Sequence, residues 1–85
     1  MSEHLCRVCG LYIEELPWGE DGISPTYEIC PCCGVEFGNE DYTVKSAKQY
    51  RAEWMKKGSR WFDPNEKPND WDVWIQLKDV PQEFL

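Results

Sequence analysis

Two short cysteine motifs have the composition and spacing of a metal site. Cys6-Arg7-Val8-Cys9 and Cys30-Pro31-Cys32-Cys33 are each followed by glycine, and 20 residues separate Cys9 from Cys30. Two pairs of thiolates match the four ligands of a tetrahedral ion. Glycine at the same offset in both motifs lets the backbone adopt positive φ and turn closely around the sulfurs. The pattern therefore predicts a four-sulfur metal site with the ligands Cys6, Cys9, Cys30 and Cys33.

A fifth cysteine, Cys32, leaves the choice of the fourth ligand open. Cys32 as a ligand would tighten the second turn and lose the following glycine, whereas Cys33-Gly34 repeats the first motif. We therefore favour Cys33 and place Cys32 at the tip of the turn, partly exposed. Cys32 is then either a small apolar turn residue or an oxidation-prone thiol. A negatively charged metal–thiolate cluster would raise the pKa of the neighbouring Cys32 thiol, which argues against a nucleophilic role for this residue.

The other ionisable residues do not suggest catalysis. His4 is the only histidine, and we expect it to be a surface residue near the terminus. The carboxylates occur mostly as adjacent pairs in predicted turns, where such groups are usually solvated. Four sulfur ligands also leave no coordination position for a water molecule, which catalytic zinc requires. The sequence therefore predicts no catalytic residues and no enzyme activity.

The length of 85 residues predicts a single domain, residues 1–85. Its composition divides it into a metal lobe, about residues 1–40, and a helical lobe, about residues 41–85. The metal lobe contains all five cysteines, and the helical lobe contains four of the five tryptophans. A core of this size is marginal on its own, so we expect the metal to contribute to folding.

Charge and cysteine usage limit the surroundings and partners of the chain. The formal net charge of −7 opposes general nucleic-acid binding, which depends on basic residues that contact phosphates. The number of cysteines is odd, and the polar start Met1-Ser2-Glu3-His4 is not followed by an apolar stretch. No apolar run approaches the length of a membrane span. These features predict a reduced, cytoplasmic protein with no membrane segment.

The residue pattern of the metal lobe predicts short strands. Residues 11–13, 26–29 and 35–37 are rich in aromatic and β-branched side chains, which favour extended backbone. The segment 17–25 between them contains proline and glycine and is typical of a loop. We expect Trp18, in this polar loop, to be the most exposed tryptophan.

The helical lobe has the residue pattern of two helices. Thr43 as N-cap and Gly58 after the last turn delimit a first helix over residues 43–57. A second helix is predicted to start at Asn69 or Asp70 and to end by Pro81. We expect four tryptophans to pack the helices against the metal lobe, or else to form an exposed patch for a partner protein. These are Trp54, Trp61, Trp71 and Trp74.

The first lobe resembles rubredoxin over residues 5–37. The shared features are the CxxCG turn with a following aromatic at Tyr12, the acidic glycine-containing loop 20–25, and Cys30-Pro31-x-Cys33-Gly34. This resemblance implies a pair of metal-binding turns and, with the predicted helices, an α+β fold. That fold is a small rubredoxin-like zinc ribbon of short antiparallel strands with two C-terminal helices. The segment between the cysteine pairs is shorter than in rubredoxins, and the residues after Phe37 have no counterpart there.

A second resemblance covers roughly residues 26–80. Residues 26–38 around the CPCC motif, Tyr50-Arg51-Ala52-Glu53-Trp54, and Lys67-Pro68-Asn69-Asp70-Trp71 resemble the bacterial cysteine-rich CPCC-type small proteins. The resemblance implies a small cytoplasmic, zinc-binding protein and implies no activity.

The sequence favours a structural four-cysteine zinc site in a protein-interaction or regulatory module. Two alternatives remain open at this point. One is a rubredoxin-like electron carrier with iron at the same sulfurs, because a tetrahedral four-sulfur site suits both metals. The other is thiol redox chemistry in which zinc is released as the cysteines oxidise.

Overall fold

The computed structural model describes residues 3–85, and its regular elements all lie in the second half. Helix α1 runs over Val44–Lys56 and helix α2 over Val73–Leu77. Two 3₁₀ turns, Pro64–Glu66 and Gln82–Phe84, follow α1 and α2 respectively. Met1 and Ser2, which belong to the polar start noted above, lie outside the described residues. Within residues 3–85, no helix has the length and apolar character needed to cross a membrane.

The predicted β-strands are wrong, and with them the rubredoxin-like zinc ribbon. Among the described residues there is no strand, only two isolated antiparallel bridges, Leu5 with Tyr12 and Ile29 with Glu36. Each bridge flanks a tight cysteine turn that reverses the chain. The ladders do not extend, and Tyr27 has a φ of 62°, which breaks the extended backbone predicted for 26–29. The metal lobe is therefore built from turns and loops.

Helix α1 agrees with its prediction to within one residue at each end. The Thr43 side chain accepts a hydrogen bond from the Ser46 backbone N–H, and the Ser46 hydroxyl pairs with the Thr43 backbone, which forms a capping box. Gly58 follows the helix with a φ of 105°, as expected for a residue after a helix C-terminus. Ala47 and Trp54 are buried on the inner face.

Helix α2 is shorter than predicted and starts later. Asp72 is its N-cap and accepts hydrogen bonds from the backbone N–H groups of Trp74 and Ile75. Trp74, expected either to pack against the metal lobe or to belong to an exposed patch, is 66% exposed. The packing alternative is wrong for Trp74 because a helix of five residues buries little more than one turn, and Trp71, before the N-cap, contributes the aromatic contact instead.

The core lies around the sulfurs and draws side chains from both lobes. Trp71 meets the rings of Trp54 and Trp61 edge-on, at centroid distances of 6.4 and 5.5 Å. The buried core residues are the five cysteines with Val8, Val35, Phe37, Ala47, Trp54, Trp61, Val80 and Phe84.

The loop 17–25 is anchored at its start by Trp18, although residues 20–24 are exposed. Trp18, expected to be the most exposed tryptophan, is 6% exposed, and its Nε1–H donates to Asp41 Oδ2 at 2.8 Å. The other carboxylate oxygen of Asp41 accepts from the Gly38 backbone N–H at 2.7 Å. Burial raises the pKa of Asp41, and these two donors oppose the shift. The prediction for Trp18 is wrong because the loop's polar composition did not reveal a buried carboxylate 23 residues away.

Candidate metal centre

The two cysteine motifs fold into turns with the same hydrogen-bond pattern, here called the first knuckle (residues 6–10) and the second knuckle (residues 30–34). In each, the glycine N–H donates to the carbonyl of the first cysteine at 2.9 Å. The N–H of that cysteine in turn donates to the carbonyl five residues later, Leu11 or Val35, also at 2.9 Å. Gly10 and Gly34 have φ values of 82° and 80°, which glycine adopts without strain.

The knuckles bring four sulfurs together. The Sγ atoms of Cys6, Cys9, Cys30 and Cys33 all lie within 4.8 Å of one another. Cys6 Sγ lies 3.7 Å from Cys33 Sγ, and Cys9 Sγ lies 3.7 Å from Cys30 Sγ. A tetrahedral ion with metal–sulfur bonds of about 2.3 Å requires sulfur–sulfur edges of about 3.8 Å. Both the donor set and the spacing therefore fit a tetrahedral metal ion, and the four cysteines could bind one.

The pKa shifts of the cysteine thiols also favour a bound cation. Burial raises the pKa of the Cys9 and Cys33 thiols, whereas S–H donation, first from Cys33 and then from Cys6 and Cys9, lowers the pKa of Cys30. Without a cation, these shifts favour the thiol form of Cys9 and Cys33 and the thiolate form of Cys30. A divalent ion would compensate the charge of further thiolates in this buried place.

Cys32 lies outside the four-sulfur group but not on the surface. Its side chain is fully buried, contrary to the expectation of a partly exposed turn residue. The Nε2 amide of Gln76 donates to Cys32 Sγ at 3.4 Å. His4 is half-buried, stacks on Tyr12 and pairs through Nδ1 with the Ile13 carbonyl at 2.9 Å. It too stands apart from the four sulfurs.

Each knuckle presents three consecutive backbone carbonyls to the rest of the fold, and each of these carbonyls accepts a hydrogen bond. In the second knuckle, the Pro31 and Cys32 carbonyls accept from the backbone N–H groups of Asp63 and Phe62, both at 2.9 Å. The Cys33 carbonyl accepts from the Tyr50 hydroxyl at 3.0 Å. Burial raises the pKa of Tyr50 to about 12, so this hydroxyl remains a donor.

The first knuckle relies on side chains from both helices. Arg51 of α1 donates to the Val8 carbonyl through Nε at 2.7 Å and to the Arg7 carbonyl through Nη2 at 3.2 Å. Gln76 of α2 donates to the Cys9 carbonyl at 3.1 Å. The same Nη2 of Arg51 also donates to the Phe84 carbonyl. Burial lowers the pKa of Arg51, and the neighbouring cysteine sulfurs counteract this.

Tyr50, Arg51 and Gln76 were not singled out as site residues from the sequence. Buried backbone carbonyls require partners, so two tight turns predict that donors exist somewhere in the chain. The sequence does not say which donors are close enough. Gln76 lies 67 residues from Cys9, and only the packing of α2 on the first knuckle brings them together.

Comparisons with known proteins add relatives but no activity. The chain is 29% identical over 83 residues to "Uncharacterized protein YozI" of Bacillus subtilis (strain 168), covering 79% of this chain and 69% of the relative. It is also 29% identical over 80 residues to "Uncharacterized protein YoaQ" of the same organism, covering 76% of this chain and 68% of that relative. No protein-family model matches the chain. No solved structure matches it.

Proposed function

We propose that this chain is a small zinc protein in which Cys6, Cys9, Cys30 and Cys33 hold a structural ion, and that it acts as a protein-interaction module. The observation that carries the proposal is the closed arrangement of the site. Cys6, Cys9 and Cys30 are fully buried and Cys33 is 5% exposed. Four sulfur ligands leave no position for water or a substrate, which is the pattern of structural zinc and not of catalytic zinc.

The surroundings of the sulfurs support a structural role. The knuckle carbonyls are bonded to residues of α1, of α2 and of the segment 62–63, so an ion at the sulfurs would link these parts of the chain. No strand organises the described residues of the metal lobe, whose backbone pairing is limited to turns and two isolated bridges. Metal binding would therefore contribute much of the folding free energy.

Two further properties belong to the proposal. All five cysteines are free thiols, which favours a reducing compartment such as the cytoplasm. Large apolar side chains, among them Tyr12, Trp74 and Ile75, are more than 60% exposed, which favours a surface that meets another protein. The net charge of −7 disfavours nucleic acid as that partner.

The test is the metal content of protein purified without a metal-binding tag or added metal. Elemental mass spectrometry, combined with a visible absorption spectrum, should find one zinc per chain and no visible bands. Iron with thiolate-to-iron charge-transfer bands would contradict the proposal and favour an electron carrier. Metal in less than stoichiometric amount, unchanged by reconstitution under reducing conditions, would contradict a structural metal site altogether.

A further inference from the structure

A groove of about 440 Å³ runs beside the first knuckle and α2. Its apolar lining comes from Leu11, Tyr12, Trp71 and Ile75, and we call it the acidic groove because of the charges described next. Tyr12 and Ile75 are each 63% exposed and line the same groove, so they form part of one apolar patch. Exposed apolar surface with a polar rim is typical of an interaction site.

The charged residues that line the acidic groove all have the same sign. They are Asp70, Asp72 and Asp79, and each is exposed. Lys67 Nζ lies 5.7 Å from the Trp71 ring centroid, but Lys67 does not line the groove. The formal charge of the chain, −7, has the same sign as this local field. Short-range and long-range electrostatics therefore both attract a cationic partner and repel an anionic one.

A second cleft gives an internal comparison. It has a similar volume, about 450 Å³, and lies between α1 and the segment 60–62. Its charged lining is mixed, with Lys57 and Arg60 against Glu53. It therefore provides no consistent charge for a partner of either sign. At the acidic groove, by contrast, the lining charges have one sign and lie beside exposed apolar side chains.

We propose that the acidic groove binds a basic segment of a partner protein that carries a large apolar side chain between lysine or arginine residues. The apolar side chain packs between Tyr12 and Ile75, and the flanking cations face Asp70 and Asp79. This inference rests on the proposed function as an interaction module and names the chemistry of its partner. Asp72 contributes charge but also caps α2, so it is unsuitable as a test position.

The experiment is an NMR titration of ¹⁵N-labelled, zinc-loaded protein. The probe is the acetylated and amidated peptide Lys-Leu-Phe-Arg-Lys, and the control is its acidic counterpart Glu-Leu-Phe-Asp-Glu. The basic peptide should shift the amide signals of Tyr12, Trp71 and Ile75, and binding should weaken as the salt concentration rises. The acidic peptide should leave these signals in place.

Matched variants locate the effect. Asp70→Asn and Asp79→Asn should each weaken binding of the basic peptide by about two- to fivefold, as expected for one exposed charge. Glu53→Gln removes the same charge from the other cleft and should leave the affinity unchanged. Ile75→Ala removes an exposed side chain and should weaken binding without altering the metal content.

Three results would overturn the inference. They are the absence of shifts with the basic peptide, shifts centred on the second cleft, and equal binding of the acidic peptide. Zinc content and the dispersion of the amide spectrum are measured on the same sample first. If the zinc-loaded, folded chain does not bind the basic peptide, the inference about the acidic groove is wrong, and the proposal of a structural zinc site is unaffected. A chain that does not hold zinc overturns the proposed function before any peptide is added.

Discussion

At the scale of single residues, adjacent Cys32 and Cys33 have opposite surroundings. The Cys33 sulfur lies 3.7 Å from Cys6 Sγ within the four-sulfur group, whereas Cys32 Sγ accepts a hydrogen bond from Gln76. We expect Cys33→Ser to abolish tight zinc binding, because serine replaces one thiolate of the tetrahedral set. Cys32→Ser should keep the zinc, since a hydroxyl still accepts from the Gln76 amide. Competition with a zinc chelator under reducing conditions measures both.

The two substitutions are matched controls for one another, since both exchange sulfur for oxygen in the second knuckle. If Cys32→Ser lost zinc as readily as Cys33→Ser, the assignment of ligands would be wrong. Cys32→Ser places a polar hydroxyl in a fully buried position, so a small loss of thermal stability at unchanged zinc affinity agrees with the assignment.

The glycines offer a second test at this scale. Gly10 and Gly22 have φ values of 82° and 76°, so alanine carries similar backbone strain at either position. A Cβ at Gly10 would lie 2.5 Å from the Gln76 carbonyl oxygen and 2.9 Å from the Val80 nitrogen, whereas one at Gly22 meets open space. We expect Gly10→Ala to lower the free energy of unfolding by about 1–3 kcal/mol more than Gly22→Ala.

Denaturant unfolding at a fixed excess of zinc checks this difference, because bound metal shifts apparent stability. Equal losses for Gly10→Ala and Gly22→Ala would mean that α2 does not pack closely on the first knuckle. That result would also weaken the case for the acidic groove, which lies along the same contact.

At the scale of elements, α1 is tied to the first knuckle by Arg51. Its planar guanidinium reaches the carbonyls of Arg7, Val8 and Phe84, and a lysine ammonium cannot reproduce this fork. We expect Arg51→Lys to leave at least one carbonyl without a donor and to cost about 2–3 kcal/mol. Thermal unfolding of the zinc-loaded protein measures the loss.

Arg60→Lys is the matched control for this substitution, because the Arg60 side chain is exposed. Its unfolding midpoint should stay close to that of the parent chain. If Arg51→Lys and Arg60→Lys behaved alike, retention of positive charge and not the guanidinium geometry would explain the contribution of Arg51.

The elements also show how far local sequence information extends. The capping residue Thr43 and the terminal Gly58 delimit α1 correctly, because helix signals depend on residues within one turn of each other. The prediction of strands was wrong because the β-propensity of these segments competes with two chain reversals and with the positive φ of Tyr27. The four clustered sulfurs follow from repeated local spacing, whereas the contacts of Arg51 and Gln76 depend on long-range packing.

At the scale of the whole molecule, metal binding at the four sulfurs would depend on pH. Thiols ordinarily titrate above neutral pH, and burial in the folded cluster raises the pKa of Cys9 and Cys33 further, so both hold protons at pH 7 before a metal binds. Zinc at the proposed site would displace these protons, so its apparent affinity should rise with pH and fall on acidification. We expect about two or more protons to be released per zinc bound at pH 7.

Isothermal titration calorimetry in two buffers with different ionisation enthalpies counts the protons. Release of fewer than one proton would contradict the protonation described for the free cluster. Removal of zinc by a chelator should, in parallel, reduce the dispersion of the amide NMR signals. A chain that kept its spectrum without zinc would show that the metal is not required for the fold.

The order of the elements along the chain has a consequence for biosynthesis. All five cysteines precede residue 34, whereas the side chains that bond the first knuckle begin with Arg51 and continue to Gln76. A ribosome delivers residues from the N-terminal side, so both knuckles leave the ribosome before the helices that cover them do. During that interval the thiols are open to zinc and to oxidants alike. Rapid capture of the ion by the nascent chain would therefore protect these cysteines until α1 and α2 close over them.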